Sequence, residues 1–165
     1  EEVNKEMYEV KRVTSDDAEG INFVAESIAA CWGRASGKSD EEILSFVSHA
    51  VCEGRVPQSF VCYKDGEAVG SFQFGLTEPY TRPDLSPWLM NVFVKEEYRG
   101  QGVGRAMMES VRGFAEDIGL DKIYLFTPHE GFYEKFGWTK VDSVTFYKPE
   151  GKITRPVYIL ELKKQ

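Results

Sequence analysis

The segment 99–105, with the sequence Arg-Gly-Gln-Gly-Val-Gly-Arg, carries the clearest chemical signal in this chain. Its three glycines lack a Cβ atom, so a ligand can approach the backbone closely. A helical pattern of apolar residues begins at Val103, and the first N–H groups of a helix are unpaired and lie at the positive end of its dipole. With Arg99 and Arg105 adding charge, the segment predicts an anion site, and phosphate is the favoured group.

The spacing of the glycines argues against two common phosphate-binding loops. A dinucleotide-binding loop needs G-x-G-x-x-G, and here the third glycine comes one residue early. A Walker A loop needs G-K-[ST], which is not found after these glycines. An ordinary strand-to-helix turn that binds no ligand is the remaining alternative.

The pattern Arg99-x-x-Gly102-x-Gly104 resembles the acyl-CoA-binding motif of the GNAT superfamily of N-acetyltransferases. Residues 131–138, Gly-Phe-Tyr-Glu-Lys-Phe-Gly-Trp, resemble the second signature of that family, a tyrosine-bearing helix that ends in Gly-aromatic. The resemblance implies that acetyl-CoA is a co-substrate and that a primary amine of a small molecule attacks it directly in a ternary complex. A protein or peptide acceptor, or a non-catalytic acyl-CoA-binding module, stays open.

The resemblance also implies roles for individual residues. The loop amides would hold the CoA pyrophosphate, the backbone of residues 92–94 would lie near the thioester carbonyl, and Tyr133 would protonate the leaving thiolate as general acid. Thr127, which ends a predicted strand, could contact the pantetheine arm or simply end that strand. The cofactor-binding set is Val92, Phe93, Val94, Arg99, Gly100, Gln101, Gly102, Val103, Gly104, Arg105, Thr127 and Tyr133.

The general base is left open. Glu78, Asp84, His129 and Glu130 all fall on loops that we expect near the catalytic mouth. A histidine can accept a proton near neutral pH, but members of the family differ at this position, and some use water or bind a neutral amine.

Hydrophobic patterning predicts the elements that position these residues. The continuously apolar run 88–94 is typical of a strand that is covered on both faces, and residues 121–127 predict a second, parallel strand after the glycine-loop helix. Asp65-Gly66 suits a tight turn between strands 58–64 and 67–76. A terminal hairpin is predicted to join 138–148 to 153–162 through residues 149–152.

The N-terminal part predicts a strand over 7–13 and then two helices. One apolar face of the first helix is expected to carry Ile21, Val24, Ala25, Ile28 and Trp32. A capping box at 39–42 opens the second helix, whose inward residues are predicted to be Ile43, Phe46, Val47, Ala50 and Val51.

Together with the resemblance, these elements imply a single-domain α/β GNAT-like fold over residues 1–165, with residues 1–6 frayed. We expect a mixed, mostly antiparallel, twisted sheet of about seven strands. Its central parallel pair would be splayed around the acyl-CoA site, with helices on both faces.

The composition limits the partners. A formal net charge of −7 gives no general basic surface for nucleic acid and accommodates a cationic acceptor more easily. The three cysteines have neither disulfide-framework nor zinc-site spacing, so we expect no metal and a reducing, cytoplasmic location. No apolar run approaches the roughly 20 residues of a membrane span, so no membrane partner is expected. A homodimer is left open.

Overall fold

The computed structural model describes residues 7–77 and 79–162. Glu78 and residues 1–6 therefore lie outside the described residues. The strands are β1 (Tyr8–Arg12), β2 (Gln58–Lys64), β3 (Glu67–Gly75), β4 (Trp88–Val94), β5 (Lys122–Phe126), β6 (Thr139–Lys148) and β7 (Gly151–Glu161). The α-helices are α1 (Ala18–Ile28), α2 (Asp40–Ser48) and α3 (Val103–Asp117). A π-helix spans Ala29–Gly33, and 3-10 turns span Glu96–Tyr98 and Tyr133–Phe136.

The strands form one seven-stranded mixed sheet in the order β1-β2-β3-β4-β5-β7-β6. The β4–β5 pair is parallel and every other neighbouring pair is antiparallel. Only Trp88 and Tyr124 are in register between β4 and β5, so the two strands diverge beyond this point. The predicted fold, including the splayed central pair, is confirmed.

Local turn chemistry explains the hairpin between β2 and β3. Asp65 and Gly66 have φ angles of 50° and 83°, as a two-residue turn with two positive φ angles requires. The terminal hairpin has a shorter connection than predicted, because β7 begins at Gly151 and only residues 149–150 separate it from β6.

Helices cover both faces of the sheet. Phe60 and Cys62 of β2 pack in the same core cluster as Met107 of α3. Val61, which alternates to the opposite face of β2, packs with α1 and α2 residues such as Val24 and Val47. None of the helices within residues 7–77 and 79–162 is long and apolar enough to cross a membrane.

The prediction that β4 is covered on both faces is wrong for its second half. Trp88, Leu89 and Met90 are buried, whereas residues 91–94 are half-buried. The divergence of β5 leaves this part of β4 without a neighbour on one edge.

Two aromatic residues predicted to lie in the core are largely exposed. Trp32 is 43% exposed because α1 gives way at Ala29 to a π-helix, in which the Arg34 N–H donates to the Ala29 carbonyl, five residues back. This wider turn interrupts the inward stripe of the α-helix. Phe46 of α2 is 47% exposed, although Ile43 and Val47 on the same helix are buried as predicted.

Candidate active site

The divergence of β4 and β5 opens a cleft of about 890 Å³. Leu89 and Val92 line it from β4, Phe126 lines it from β5, and Thr127 and Tyr133 line it just after that strand. The segment from Ile28 to Phe46, which includes the π-helix and the start of α2, contributes the opposite wall. The sheet thus supplies one side of the cleft, and the two N-terminal helices supply the other.

The glycine loop has the geometry of an anion site. Gly100 and Gly102 have φ angles of 77° and 89°, which glycine adopts without strain. Gly102 is the N-cap of α3 and provides no side-chain cap. The first α3 N–H with a partner in the described part of the chain is that of Ala106, 3.0 Å from the Gly102 carbonyl, so the N–H groups of residues 102–105 are available to a ligand.

Residues far away in sequence hold this loop. The Tyr8 hydroxyl of β1 donates to the Gln101 carbonyl across 2.5 Å, and the Gln101 side chain donates to the Glu97 carbonyl at 2.9 Å. Lys64 Nζ, at the end of β2, lies 3.5 Å from Gln101 Oε1. Lys64 therefore adds a third cation beside Arg99 and Arg105, and sequence reasoning missed it.

Arg99 and Arg105 are anchored differently. Arg99 Nε donates to the Val94 carbonyl at 3.2 Å, which holds its guanidinium at the end of β4. Arg105 Nε instead pairs with Glu109 at 3.0 Å along α3. Of the two, Arg99 lies at the junction between the loop and the cleft-lining strand.

The loop and the cleft are neighbours. A Cβ atom on Gly104 would lie 3.6 Å from Phe132 Cζ. The Phe132 ring in turn makes an edge contact with the Tyr133 ring, at a centroid distance of 5.0 Å. The Phe132 ring therefore lies between the predicted phosphate loop and Tyr133, the predicted general acid.

Tyr133 is the best-placed proton donor among the predicted residues. Its side chain is only 9% exposed, and Trp138 packs edge-on against its ring at 6.2 Å. Burial raises the pKa of the phenol above its ordinary value, so the group keeps its proton at neutral pH. Its hydroxyl makes no hydrogen bond within the described residues. Because Tyr133 lines the cleft, this hydroxyl is available to donate a proton to a leaving group bound there.

The backbone N–H groups of residues 92–94 point to two different edges of β4, one paired with β3 and one open. The Lys95 N–H donates to Val69 of β3 at 2.9 Å. Because alternate residues of a strand direct their N–H groups to opposite edges, Val94 directs its own toward the open edge. Phe93 is instead in register with Ser71 of β3. Val92 and Val94, rather than Phe93, are thus available to polarise a ligand carbonyl.

Thr127 is buried at 5% exposure and lines the cleft. Its Oγ1 accepts the His129 N–H at 3.1 Å, which fixes the turn after β5. The hydroxyl keeps its own hydrogen to donate to a ligand.

The base candidates separate clearly. His129 lines the cleft, but Glu130 is exposed and is not among the lining residues. Asp84 pairs with Arg82 at 2.8 Å, and this hydrogen bond holds the pKa of Asp84 below its usual value, which makes it a weaker base. Glu78 lies outside the described residues.

The cleft residues that sequence reasoning did not assign to the site include Trp32, Lys38, Glu42, Phe46 and Asn91. Only Asn91 has a recognisable sequence signal, as the single polar residue of the apolar run 88–94. Residues 7–77 and 79–162 contain no group of three or more His, Cys, Asp or Glu side chains that could hold a metal ion.

Residues 56–140, just over half of the chain, match the family described as acetyltransferase (GNAT) domain. The chain therefore belongs to the GNAT family of acyltransferases. An uncharacterised N-acetyltransferase of Chlorobaculum tepidum is 24% identical over 58 residues, which is 35% of this chain and 37% of that protein. The match thus spans little more than a third of this curated relative.

Solved structures share the fold over nearly the whole chain. An aminoglycoside 6'-N-acetyltransferase complexed with coenzyme A has a TM-score of 0.69 and 13% identity, over 95% of this chain and 98% of that chain. The ribosomal-protein-S18-alanine N-acetyltransferase of Escherichia coli has a TM-score of 0.64 and 17% identity, over 96% of each chain. At this level of identity, the similarity supports the fold.

Proposed function

We propose that the protein transfers the acetyl group of acetyl-CoA to a primary amine of a small molecule by direct attack in a ternary complex. One observation carries the proposal. A helix N-terminus with available N–H groups adjoins a cleft that contains a buried, protonated tyrosine. The free cysteines Cys31, Cys52 and Cys62 fit a reducing compartment, and we propose a cytoplasmic location.

The donor would bind through both features. The N–H groups of residues 102–105 would receive the pyrophosphate, and the cations Arg99 and Lys64 would add attraction for its charge. The arm and thioester would lie in the cleft, where Val92 on the exposed edge of β4 offers an N–H donor. The family membership and a CoA-bound neighbour of the same fold support this assignment.

The reaction needs no covalent intermediate on the protein. The amine nitrogen attacks the thioester carbonyl carbon, a C–N bond forms, and the carbonyl oxygen takes up negative charge that a β4 N–H can stabilise. The C–S bond then breaks, and the Tyr133 hydroxyl donates its proton to the departing thiolate. The nitrogen loses a proton to water or to His129, so the products are an amide and free CoA.

The size of the cleft supports a small acceptor. Its volume of about 890 Å³ must hold the arm and thioester of the donor as well as the acceptor, and pockets that enclose a small ligand alone have roughly 300–1,000 Å³. The neighbours named above include one protein whose name specifies an aminoglycoside and one whose name specifies a ribosomal protein. Both acceptor classes therefore belong in the test.

Two measurements test the proposal. Titration calorimetry with acetyl-CoA should give saturable binding in the micromolar range, as is common for enzyme substrates. A thiol-reactive dye should then detect CoA release when primary amines or an N-terminal peptide are added, and mass spectrometry should find the acetyl group on nitrogen. Absence of acetyl-CoA binding at high micromolar ligand would contradict the proposal. CoA release with peptide alone would replace the small-molecule acceptor by a peptide.

A further inference from the structure

We infer that the cleft contains an acceptor subsite for a primary amine that has a single amino group and an apolar body, in which Asn91 orients the amine and Trp32 and Phe46 contact the body. The inference rests on the proposed function, because it concerns the second substrate of that reaction. A buried chain of hydrogen bonds and a pair of exposed aromatic side chains support it.

Asn91 lies at an irregularity in β4 that directs its side chain. The register between β3 and β4 shifts here, with Gln73 opposite Met90 but Ser71 opposite Phe93. Asn91 lies in the resulting β-bulge. Its φ is 55°, a left-handed conformation that asparagine tolerates better than most residues. Bulges of this kind re-aim side chains beside active sites, and Asn91 lines the cleft.

The amide of Asn91 is oriented by a chain of hydrogen bonds with one direction. Asn91 Nδ2 donates to Gln73 Oε1 at 2.7 Å, Gln73 Nε2 donates to Ser59 Oγ at 2.9 Å, and the Ser59 hydroxyl donates to the Ala50 carbonyl at 2.9 Å. A carbonyl only accepts, so Ser59 must donate to it and must accept from Gln73. Gln73 then presents its oxygen to Asn91, and Asn91 must present its NH₂ group.

Burial makes the reverse orientation costly. Ser59 is fully buried and Gln73 is 1% exposed, so a flipped amide would leave polar groups unpaired away from water. Because the Asn91 NH₂ group donates to Gln73, Asn91 Oδ1 is left without a hydrogen bond in the described part of the chain. The geometry therefore assigns this oxygen as a fixed acceptor for an N–H of the substrate amine.

A neutral amide suits this role. A carboxylate beside the amine would stabilise the charged ammonium form and raise the pKa of the amine. An amide oxygen accepts one N–H without that full negative charge, so the nucleophilic neutral amine is held with a smaller penalty. Donating this N–H leaves the single lone pair of the nitrogen free to attack the thioester.

The apolar wall of the subsite is built from two segments. Trp32 from the π-helix and Phe46 from α2 both line the cleft, and each exposes more than two-fifths of its side chain. Gly33 allows this packing, because a Cβ atom there would lie 2.3 Å from Ile43 Cδ1. Half-exposed aromatic side chains that line a concave site are suited to contact an apolar ligand.

The charges of the lining favour a single amino group. Among the described lining residues, Glu42 is the one carboxylate, and Lys38 pairs with it at 3.9 Å. A polyamine would place further ammonium groups beside Lys38, whereas an apolar amine would place its body against Trp32 and Phe46.

The first test compares acceptors and wall variants. We expect kcat/KM for 2-phenylethylamine to exceed that for 1,4-diaminobutane by about tenfold or more, the scale of discrimination by apolar contacts. Trp32→Ala and Phe46→Ala should each lower kcat/KM for 2-phenylethylamine about tenfold, mainly through KM, and should change the diamine value little. Tyr147→Ala is the matched control, because Tyr147 is an exposed aromatic on β6 outside the cleft, and it should change neither value.

The second test separates the amine-orienting chain from the wall. Asn91→Gly removes the amide while keeping a residue that accepts positive φ, and it should lower kcat/KM for both amines about tenfold with an unchanged acetyl-CoA Kd. Ser59→Ala acts on Asn91 only through Gln73, so it should lower kcat/KM for both amines by less than Asn91→Gly does. Ser59→Thr keeps the hydroxyl and should restore kcat/KM.

Each contrary outcome has a defined meaning. Equal or better use of 1,4-diaminobutane or of an N-terminal peptide, with acetyl-CoA still bound, overturns the inferred acceptor class and leaves acetyl transfer in place. Unchanged kcat/KM in both Asn91→Gly and Ser59→Ala overturns the role of Asn91. Failure to bind acetyl-CoA at all overturns the proposed function and this inference together.

Discussion

Trp88 of β4 lies directly opposite Tyr124 of β5, with their ring centroids 5.6 Å apart. This pair marks the point beyond which the two parallel strands diverge. The Trp88 side chain is fully buried, and its Nε1 donates to the Leu85 carbonyl at 2.6 Å. The same residue thus joins the two halves of the sheet and anchors the loop that leads into β4.

Trp88→Phe should destabilise the fold measurably, because it removes a partly buried hydrogen bond and part of the volume of a fully buried ring. We expect a loss of about 1–3 kcal/mol in the free energy of unfolding, and about 3–5 kcal/mol for Trp88→Ala. Urea denaturation measures both. Trp32→Phe is the control at a half-exposed tryptophan and should stay within about 0.5 kcal/mol of the parent. Equal effects at Trp88 and Trp32 would contradict the assigned role of Trp88.

Gly102→Ala should weaken acetyl-CoA binding beyond its effect on stability. Gly102 has a φ of 89°, and Gly119 at the other end of α3 has a φ of 77°. An added Cβ is strained at either residue, so both alanine variants should lose about 1–2 kcal/mol in the free energy of unfolding. Only Gly102 adjoins the N–H groups assigned to the pyrophosphate, so only Gly102→Ala should raise the acetyl-CoA Kd in calorimetry. A matching rise in Gly119→Ala would remove the glycine loop from the binding site.

Local sequence chemistry predicted the features that depend on a few neighbouring residues. The Asp65-Gly66 turn requires two positive φ angles, which this dipeptide readily adopts. The glycine loop and the segment around Tyr133 carry family signatures, and the structure places the loop next to the cleft that Tyr133 lines, through the approach of Gly104 to Phe132. The parallel β4–β5 pair was predicted because a helix connects the two strands.

Features that depend on register between distant segments were not predicted. Trp32 continues the apolar stripe of α1 in the sequence, but a π-helical turn displaces it into the cleft wall. Asn91 meets Gln73 only because the β3–β4 register shifts by a bulge, and Lys64 meets Gln101 only through the fold. No periodicity in the sequence encodes either contact.

Tyr133→Phe should lower turnover by about 100-fold if the hydroxyl protonates the thiolate, since general acids typically contribute roughly 10²–10⁴-fold. The acetyl-CoA Kd should change little. Because the hydroxyl makes no hydrogen bond in the described part of the chain, the free energy of unfolding should change by less than about 0.5 kcal/mol. Steady-state kinetics, calorimetry and urea denaturation measure the three quantities.

The pH profile gives an independent check of Tyr133. Burial raises the pKa of this phenol, so its acid form is present below that raised pKa and is lost as pH rises through it. A fall in kcat that belongs to Tyr133 should therefore begin only above about pH 10, the ordinary value for tyrosine. Tyr124→Phe, which removes the hydroxyl of a buried tyrosine that is not among the cleft-lining residues, should leave turnover unchanged. Wild-type turnover in Tyr133→Phe would exclude the acid role.

The loop before β4 should be tied to β6 in a pH-dependent way. Arg82 Nη2 lies 2.8 Å from Asp84 Oδ2 and 3.0 Å from Asp142 Oδ2. These hydrogen bonds lower the pKa of both carboxyls in the folded protein, so the folded state binds fewer protons than the unfolded state. Their stabilisation is present above the unfolded pKa and is lost as pH falls through the folded pKa.

Arg82→Ala should therefore destabilise the protein at neutral pH and should differ less from the parent at about pH 3, where these carboxyls begin to take up protons. Urea midpoints at the two pH values measure the difference. Arg12→Ala is the matched control, because Arg12 Nη1 donates to the Cys52 carbonyl at 3.3 Å and has no carboxylate partner within the described residues. Its deficit should be the same at both pH values. An Arg82→Ala deficit that is equally independent of pH would show that Arg82 stabilises the loop through Ser143, whose carbonyl it also contacts at 2.8 Å, rather than through its two aspartates.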